Sequence, residues 1–191
     1  MVEFLTRQEL LELDFVRCGR DVNISRRSVL YGADRISIGD HVRIDDMSIV
    51  FAEAPCHIGS YVHIGAYAFY GGRHGITMGD FSGIGQRVSI FTANDDFSGQ
   101  TLTNPTVPAP YAGSSTGPVR IDRHVIIGTG TVILPGVHIG EGAAVGALSL
   151  VAKDLAPWAI YGGSPARRLK GRSRQLLEVE RDLRAHEDAE P

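Results

Sequence analysis

Aliphatic residues recur at every sixth position in the second half of the chain, with polar residues and glycines between them. An α-helix would repeat its apolar positions about every 3.6 residues and a strand about every 2, so neither element alone explains the spacing. A six-residue period is typical of short strands separated by turns, in which one side chain per strand points inward. The pattern therefore predicts a β-helix built from hexapeptide repeats. The uninterrupted run comprises Ile121, Ile127, Ile133, Ile139, Val145 and Val151.

The same spacing occurs upstream in three sets of three apolar residues, and each set predicts one triangular coil. Successive sets are eight residues apart, which adds two residues to one corner of each coil. The longest step, from Ile90 to Ile121, predicts a loop over residues 91–120 that leaves at the same corner. Loops of this length within a compact domain are usually functional. The sequence thus predicts about five coils with three columns of inward residues. The columns are Ile38, Ile58, Met78, Ile121 and Ile139; Ile44, Ile64, Ile84, Ile127 and Val145; and Val50, Tyr70, Ile90, Ile133 and Val151.

The chain divides into a repeat region, residues 36–156, and two flanking segments. Residues 1–35 are expected to form an N-terminal cap. It would contain an irregular first turn and a short helix over Thr6–Leu13, which a capping box begins. Residues 157–191 are expected to form a basic turn and a second amphipathic helix, Arg172–Glu187, that covers the last coil. The predicted fold is therefore all-β, with one helix at each end.

Composition narrows the possible functions. The formal net charge of −3 argues against a general nucleic-acid binder. The two cysteines, Cys18 and Cys56, form neither a disulfide framework nor a zinc pattern, which favours a reducing compartment. The N-terminal stretch carries Glu3, Arg7 and Glu9 and does not resemble a signal peptide. Because no run of about 18 apolar residues occurs, we expect a cytoplasmic protein without a membrane span.

Two stretches of the chain resemble a known family, the hexapeptide-repeat acyltransferases. The C-terminal part of its galactoside, maltose and nodulation-type acetyltransferases is similar to VIIGTGTVILPGVHIGEGAAVGALSLVAKDL followed by YGGSPARRLKG. Acyltransferases associated with bacterial surface polysaccharides have a loop that resembles NDDFSGQTLTNPTVP. The resemblance implies a left-handed parallel β-helix. It also implies transfer of an acyl group, expected to be acetyl from acetyl-CoA, to a hydroxyl or amine of a sugar or nucleotide-linked sugar.

The resemblance places the catalytic histidine of these acetyltransferases at the root of the loop, where this chain has Asn94. An amide does not accept a proton, but it can orient an acceptor or polarise a thioester carbonyl. The general base is therefore left open between Asp95, Asp96 and His63. His63 is predicted to face outward beside Gly83, which leaves space for a ligand. An amine acceptor would need little assistance from a base.

The expected binding residues follow from the same resemblance. The acceptor is expected near Asp95, Arg73 and His74, around the loop root. Coenzyme A is expected in a groove between two subunits beside the last coils, with basic side chains after the repeats facing its phosphates. No metal is expected. The residues expected to bind coenzyme A are Thr129, Ala147, Ala152, Lys153, Arg167 and Lys170.

The oligomeric state is predicted from outward-facing apolar residues. Ile49, Phe69, Val132 and Leu150 are expected to form an exposed apolar column, and a patch of that kind usually marks an interface. Together with the resemblance, this column predicts a homotrimer with three equal grooves.

Two other functions stay open from the sequence alone. An enzyme like the γ-class carbonic anhydrases would hold zinc with three histidines, two of them five residues apart, and no pair of histidines here has that spacing. A non-catalytic β-helix that serves as a scaffold or binding protein is the second alternative, because Asn94 replaces the expected catalytic histidine.

Overall fold

A computed structural model describes residues 2–187. Residue 1 and residues 188–191, which belong to the two predicted flanking segments, lie outside the described residues. The chain winds into a triangular β-helix, and each coil adds one short strand to each of three parallel sheets, the three faces. The first face contains Arg17–Cys18, Ile36–Ile38, Cys56–Ile58, Ile76–Met78, Val119–Ile121 and His138–Ile139. The second contains Asn23–Ile24, Arg43–Ile44, His63–Ile64, Gly83–Ile84, Ile126–Ile127, Ala144–Val145, Ala159–Gly162 and, antiparallel at its end, Arg167–Gly171. The third contains Val29–Tyr31, Ile49–Ala52, Phe69–Gly72, Ser89–Phe91, Val132–Ile133 and Leu150–Val151.

The three predicted inward columns are confirmed residue by residue. Each predicted member pairs in register with the next, as in Ile38 with Ile58, Ile44 with Ile64 and Val50 with Tyr70. All fifteen side chains are buried. Burial of each contributes about 1.5–3 kcal/mol, so the columns form the core that holds the coils together.

The predicted number of coils, about five, was too low. The second face stacks seven parallel strands, so the β-helix has about seven coils. The segment expected to be an irregular first turn is a regular coil, in which Cys18, Ile24 and Leu30 continue the columns. In this coil Leu30 is the inward residue of the third face, and Val29 is exposed. Tyr161 extends the second column beyond Val145 at the other end.

Helix α1, Arg7–Leu11, begins with the predicted capping box: the Thr6 backbone N–H donates to Glu9 Oε2 (2.8 Å) and the Glu9 N–H donates to Thr6 Oγ1 (3.3 Å). It ends two residues before the predicted Leu13. Short 3₁₀ turns occur at Ala33–Arg35 and Ala109–Tyr111. Within the described residues, neither α1 nor the second helix has the length and apolar character needed to cross a membrane.

Helix α2, Leu176–Glu187, lies along the side of the β-helix and does not cover the last coil as expected. It follows the corner between the first and second faces, which we call the aromatic corner. There the rings of His41, Tyr61, Phe81 and His124 stack in successive coils, with neighbouring centroids 4.6–5.4 Å apart. Trp158 lies at the same corner two coils beyond His124, with the ring centroids 6.4 Å apart and Gly142 in the coil between them. All five residues have a positive φ of 55–60°, a conformation that non-glycine residues rarely adopt.

Polar contacts hold α2 against this corner. Glu180 bonds to Arg123 and His124, Arg184 lies over the Phe81 ring, and Glu187 accepts a hydrogen bond from Tyr61. The helix therefore runs from the last coils back toward the second. Because the aromatic corner is opposite the third face of the triangle, α2 leaves the third face uncovered.

Candidate active site

The long loop begins and ends at the corner between the third and first faces, here called the loop corner. Strand Ala93–Asp95 pairs antiparallel with Ser114–Thr116, and Asn94 lies opposite Ser115. The backbone N–H of Gly117 donates to the carbonyl oxygen of Thr92 (3.0 Å), which joins the two ends of the loop. The loop is thus an ordered excursion closed at its base.

The predicted acceptor-binding residues come together at the loop corner. Arg73 and His74 follow the third-face strand of the preceding coil, and the backbone N–H of His74 donates to Thr92 Oγ1 (2.9 Å). Asn94 and Asp95 follow Thr92 in the next coil. The Arg73 guanidinium is 3.0 Å from a Glu53 carboxylate oxygen, and both side chains are exposed. The corner therefore offers a cation, an imidazole, an amide and a carboxylate to solvent.

Asp96 has a structural role within the loop. Its carboxylate accepts hydrogen bonds from the backbone N–H groups of Ser98 (2.7 Å), Gln100 (3.1 Å) and Thr101 (2.9 Å), and from Thr101 Oγ1 (2.9 Å). Hydrogen bonds from Ser98 and Thr101 hold the pKa of Asp96 well below its usual value. A carboxylate stabilised in this way is a weak base, so the geometry favours Asp96 as an anchor of the loop.

His63 lies on the second face, which is opposite the loop corner in the triangular cross-section. Within the described protomer, the structure therefore does not bring His63 and Asn94 together. His63 Nε2 is 2.8 Å from Asp45 Oδ2, and Arg43 Nε donates to the other carboxylate oxygen (2.7 Å). Partial burial raises the pKa of Asp45, but the bonds from His63 and Arg43 outweigh burial and hold that pKa below its usual value. The side chain of His63 is 52% exposed beside Gly83, where an added Cβ would lie 3.9 Å from its nearest neighbour.

Thr129 and Ala147, predicted to bind coenzyme A, stack at the corner between the second and third faces. We call it the glycine corner, because Gly65, Gly85, Gly128 and Gly146 follow the inward residues there. The coils approach so closely at this corner that a Cβ on Gly128 would come within 2.5 Å of the Ala147 nitrogen. Both predicted residues are exposed, on a surface shallow enough for backbone contacts with a ligand.

Ala152, Lys153 and Arg167 meet in a separate cleft of about 430 Å³ near the C-terminal end of the β-helix. Ala152 and Lys153 follow the last third-face strand, at the loop corner, two coils beyond Asn94. The predicted donor residues therefore flank the third face on both sides, with Thr129 and Ala147 along its other edge.

A β-bulge arranges the basic strand Arg167–Gly171. In a regular strand, residues three apart point to opposite faces, which would separate Arg167 from Lys170. The register shifts between Ile160 and Tyr161, so that Arg167 pairs with Gly162 and Lys170 pairs with Ile160. Because directly paired residues share a face, the bulge puts both cations on the outer side.

Arg172 is the predicted first residue of the second helix, but α2 begins at Leu176 and Arg172 has a structural role outside it. One guanidinium nitrogen of Arg172 donates to the backbone carbonyls of His124 (2.7 Å), Gly142 (3.0 Å) and Ala143 (3.2 Å). Burial lowers the pKa of this guanidinium. Arg172 thus fastens the end of the basic strand to two coils, and no sequence signal distinguishes it from its basic neighbours.

Residues 2–187 contain no group of three or more His, Cys, Asp or Glu side chains placed to hold a metal ion. No family model matches the chain. The dTDP-4-amino-4,6-dideoxy-D-glucose acyltransferase of Escherichia coli is 42% identical over 178 residues, which cover 93% of each chain. The chain belongs to the hexapeptide-repeat acyltransferases.

Solved structures of AntD, an N-acyltransferase from Bacillus cereus, are similar to this hexapeptide-repeat acyltransferase. A variant in complex with dTDP-4-amino-4,6-dideoxyglucose and coenzyme A has a TM-score of 0.94 and 44% identity, over 97% of this chain and 100% of that one. A complex with dTDP and 3-hydroxybutyryl-CoA has a TM-score of 0.93 and 42% identity, over 98% of this chain and 100% of that one.

These similarities confirm two predictions for this hexapeptide-repeat acyltransferase. The left-handed parallel β-helix is confirmed as its fold. Acyl transfer is confirmed as its class of activity, which sets aside the scaffold and the carbonic-anhydrase alternatives. The individual catalytic, acceptor and donor residues stay predictions, and so do the bounds of the three predicted segments.

Proposed function

We propose that the protein transfers an acyl group from acyl-coenzyme A to the amine of a nucleotide-linked 4-amino-4,6-dideoxyhexose. The observation that carries this proposal is the near full-length similarity to an enzyme and a set of structures whose acceptor is of that class. The similarity includes the long loop, because it extends over 97% of this chain. This similarity supports N-acylation over O-acylation, a choice that the sequence alone leaves open.

The acceptor in this proposal binds at the loop corner. Its diphosphate lies near Arg73 and His74, because a guanidinium forms charge-assisted hydrogen bonds with phosphate oxygens. Its amine lies toward Asn94 and Asp95, at the loop root. The pairing of Arg73 with Glu53 supports the assignment, since an exposed ion pair of this kind is weak enough to exchange for a phosphate.

The donor in this proposal lies beside the third face. Its pantetheine chain runs past Thr129 and Ala147 or past Ala152 and Lys153, and its phosphates meet the outward cations of the basic strand. The β-bulge supports this assignment, because it brings Arg167 and Lys170 to one side. The acyl group need not be acetyl, since AntD was solved with 3-hydroxybutyryl-CoA.

The reaction joins the acceptor nitrogen to the thioester carbonyl carbon and breaks the bond between carbon and sulfur. The nitrogen loses a proton and coenzyme A leaves as the thiol. A neutral amine attacks without prior deprotonation, so the demand on a general base is lower than for a hydroxyl. Asn94 orients the acceptor or polarises the carbonyl. The catalytic roles of His63 and Asp96 stay predictions.

A homotrimer completes the proposal. The outward third-face residues Ile49, Phe69, Val132 and Leu150 are apolar, with Ser89 between Phe69 and Val132. Ile49 is exposed and the other three are half-buried in the described protomer, and α2 covers the opposite corner. Packing this face against a neighbouring subunit would bury the apolar column and line a groove on each side of it. A cytoplasmic location and a part in surface-polysaccharide biosynthesis also stay predictions.

The test is release of free thiol from acetyl-CoA and from 3-hydroxybutyryl-CoA in the presence of dTDP-4-amino-4,6-dideoxyglucose. The matched control is dTDP-6-deoxyglucose, which carries a hydroxyl in place of the amine at C4. Acyl transfer to the amine and none to the control supports N-acylation. No turnover with the amine, or equal turnover with both acceptors, contradicts the proposal. Light scattering of the protein tests the trimer, and a monomeric mass contradicts it.

A further inference from the structure

The aromatic ring of Phe97 packs against almost nothing within the described protomer. Its side chain is 92% exposed, although it lies at the edge of a cleft of about 350 Å³ in the long loop. Asp95, Ser114 and Ser115 also line this cleft. Its volume is at the lower end of the range for small-molecule sites, about 300–1,000 Å³, and fits one sugar ring better than a whole nucleotide.

The backbone around Phe97 is held in place. The Asp96 carboxylate binds three backbone N–H groups after Phe97, and the Asp96 N–H donates to the carbonyl oxygen of Gly113 (3.1 Å) across the cleft. Phe97 is therefore presented to solvent by a closed, hydrogen-bonded loop. An apolar ring in this position gains free energy when a ligand covers it.

Charge excludes one part of the acceptor from this cleft. Between Arg87 and Arg120 the sequence contains no Lys, Arg or His, and its two charged residues are Asp95 and Asp96. A diphosphate would be repelled there, whereas a hydroxyl-bearing or amino-bearing ring would find carboxylate and hydroxyl acceptors. The cation Arg73 and the imidazole of His74, both from the preceding coil, do not line the cleft.

We propose that Phe97 recognises the aminohexose of the acceptor, while the nucleotide is held outside the loop. The ring packs on the C–H face and the C6 methyl group of the 6-deoxysugar, and Asp95 and Ser114 accept hydrogen bonds from its polar groups. This inference rests on the proposed function. It assigns the loop to selection of the sugar and the loop corner to binding of the diphosphate.

The test compares Phe97→Ala with Phe97→Tyr, which keeps the ring. Tyr111→Ala is the matched control, because Tyr111 is an exposed aromatic of the same loop, 65% exposed, that does not line the cleft. The measurements are the KM for dTDP-4-amino-4,6-dideoxyglucose, the affinity for dTDP by calorimetry, and the mass by light scattering. Removing the ring should raise the KM about tenfold or more, while the affinity for dTDP stays within about twofold. Phe97→Tyr and Tyr111→Ala should both resemble the wild type.

Three results would overturn the inference: an unchanged KM in Phe97→Ala, an equal loss of affinity for dTDP, or a loss of the oligomer. The first removes Phe97 from the site, the second moves the nucleotide into the cleft, and the third makes Phe97 a subunit contact. Failure of the proposed function is distinguishable, because the wild-type protein itself would then neither bind dTDP nor acylate the aminosugar.

Discussion

His124 and Glu180 are 56 residues apart in the sequence, yet His124 Nε2 lies 2.9 Å from Glu180 Oε2. Their side chains are only 5% and 8% exposed. Glu180 also bonds to Arg123 and Arg184, so one carboxylate of α2 joins the helix to the aromatic corner. This cluster is the main polar connection between the C-terminal helix and the coils.

Replacement of Glu180 should loosen α2. In Glu180→Gln, the carboxylate charge is lost and Arg123 and His124 lose their charged partner, which should lower the free energy of unfolding by about 1–3 kcal/mol. Urea unfolding followed by circular dichroism measures this change. The control is Glu178→Gln, because Glu178 is exposed and its nearest cation, Arg181, is 3.9 Å away. Equal stability of both variants would contradict the assignment.

Acid should also release the helix. Burial raises the pKa of Glu180, but the bond from Arg184 and the charges of Arg123 and His124 outweigh burial and hold that pKa below its usual value of 4.5. Because the folded pKa is lowered, the stabilisation is fully present above about pH 4.5 and is lost as the pH falls through the folded value.

The chain has a single tryptophan, Trp158, whose ring lies near His124 and under Arg174, so its fluorescence reports on this corner. We expect an emission change as the pH falls below about 4.5, and a smaller change in Glu180→Gln. An identical acid transition in the wild type and the variant would show that other carboxylates control it.

Gly128 should be far less tolerant of a side chain than Gly83. In Gly128→Ala, the new methyl group would come within 2.5 Å of the Ala147 backbone nitrogen, so the coils must separate. We expect a loss of about 1–3 kcal/mol in the free energy of unfolding, as for other overpacked sites. Gly83→Ala is the control, because its methyl group would lie 3.9 Å from the nearest atom. The melting temperatures of the two variants test this difference.

Loss of both outward cations of the basic strand should weaken the binding of coenzyme A. In the double variant Arg167→Ala and Lys170→Ala, lost charge-assisted hydrogen bonds should reduce affinity by about 1–3 kcal/mol, measured by calorimetry. The wild type and the double variant should differ less in affinity for dephospho-coenzyme A than in affinity for coenzyme A. Arg181→Ala is a suitable control, since Arg181 is an exposed cation on α2. Unchanged affinity in the double variant would remove these residues from the donor site.

The role of His63 can be tested across the subunit boundary. Because His63 and Asn94 lie on opposite sides of one protomer, they can serve one site only if neighbouring subunits contribute one each. His63→Ala and Asn94→Ala should each lower kcat. If His63 is the general base, its loss should lower kcat by a factor of about 10²–10⁴. Trimers co-expressed from the two variants should recover part of the activity, because some interfaces then contain both native residues.

Retention of kcat within about threefold in His63→Ala would exclude it as the base. The amine would then need little base assistance.

The matched variant Asp96→Asn should mainly raise the KM for the acceptor, because Asp96 stabilises the loop that holds Phe97.

Prediction from the sequence succeeded for the inward columns, where burial alone determines which residue type occupies a position. The inward columns were placed correctly because every coil must bury one side chain per face, and the period records that need. It missed the first coil, although Cys18, Ile24 and Leu30 keep the six-residue spacing and Ile38 follows Leu30 by eight residues.

The site was harder to predict because its geometry depends on contacts far apart in the chain. No local pattern indicates that Asp96 is bonded within its loop, or that Arg172 is buried against three carbonyls. The docking of α2 depends on rings in five separate coils, so its amphipathic pattern identified the helix but not its partner. The side shared by Arg167 and Lys170 required a bulge that the sequence does not reveal.

The hydrogen bond between Thr92 and Gly117 makes residues 93–116 a self-contained cassette. The chain departs from and returns to the same point, so the spacing of the coils does not depend on the length of the insert. An exchange of this cassette for that of a relative should therefore change which sugar is accepted, and leave the donor groove and the core as they are.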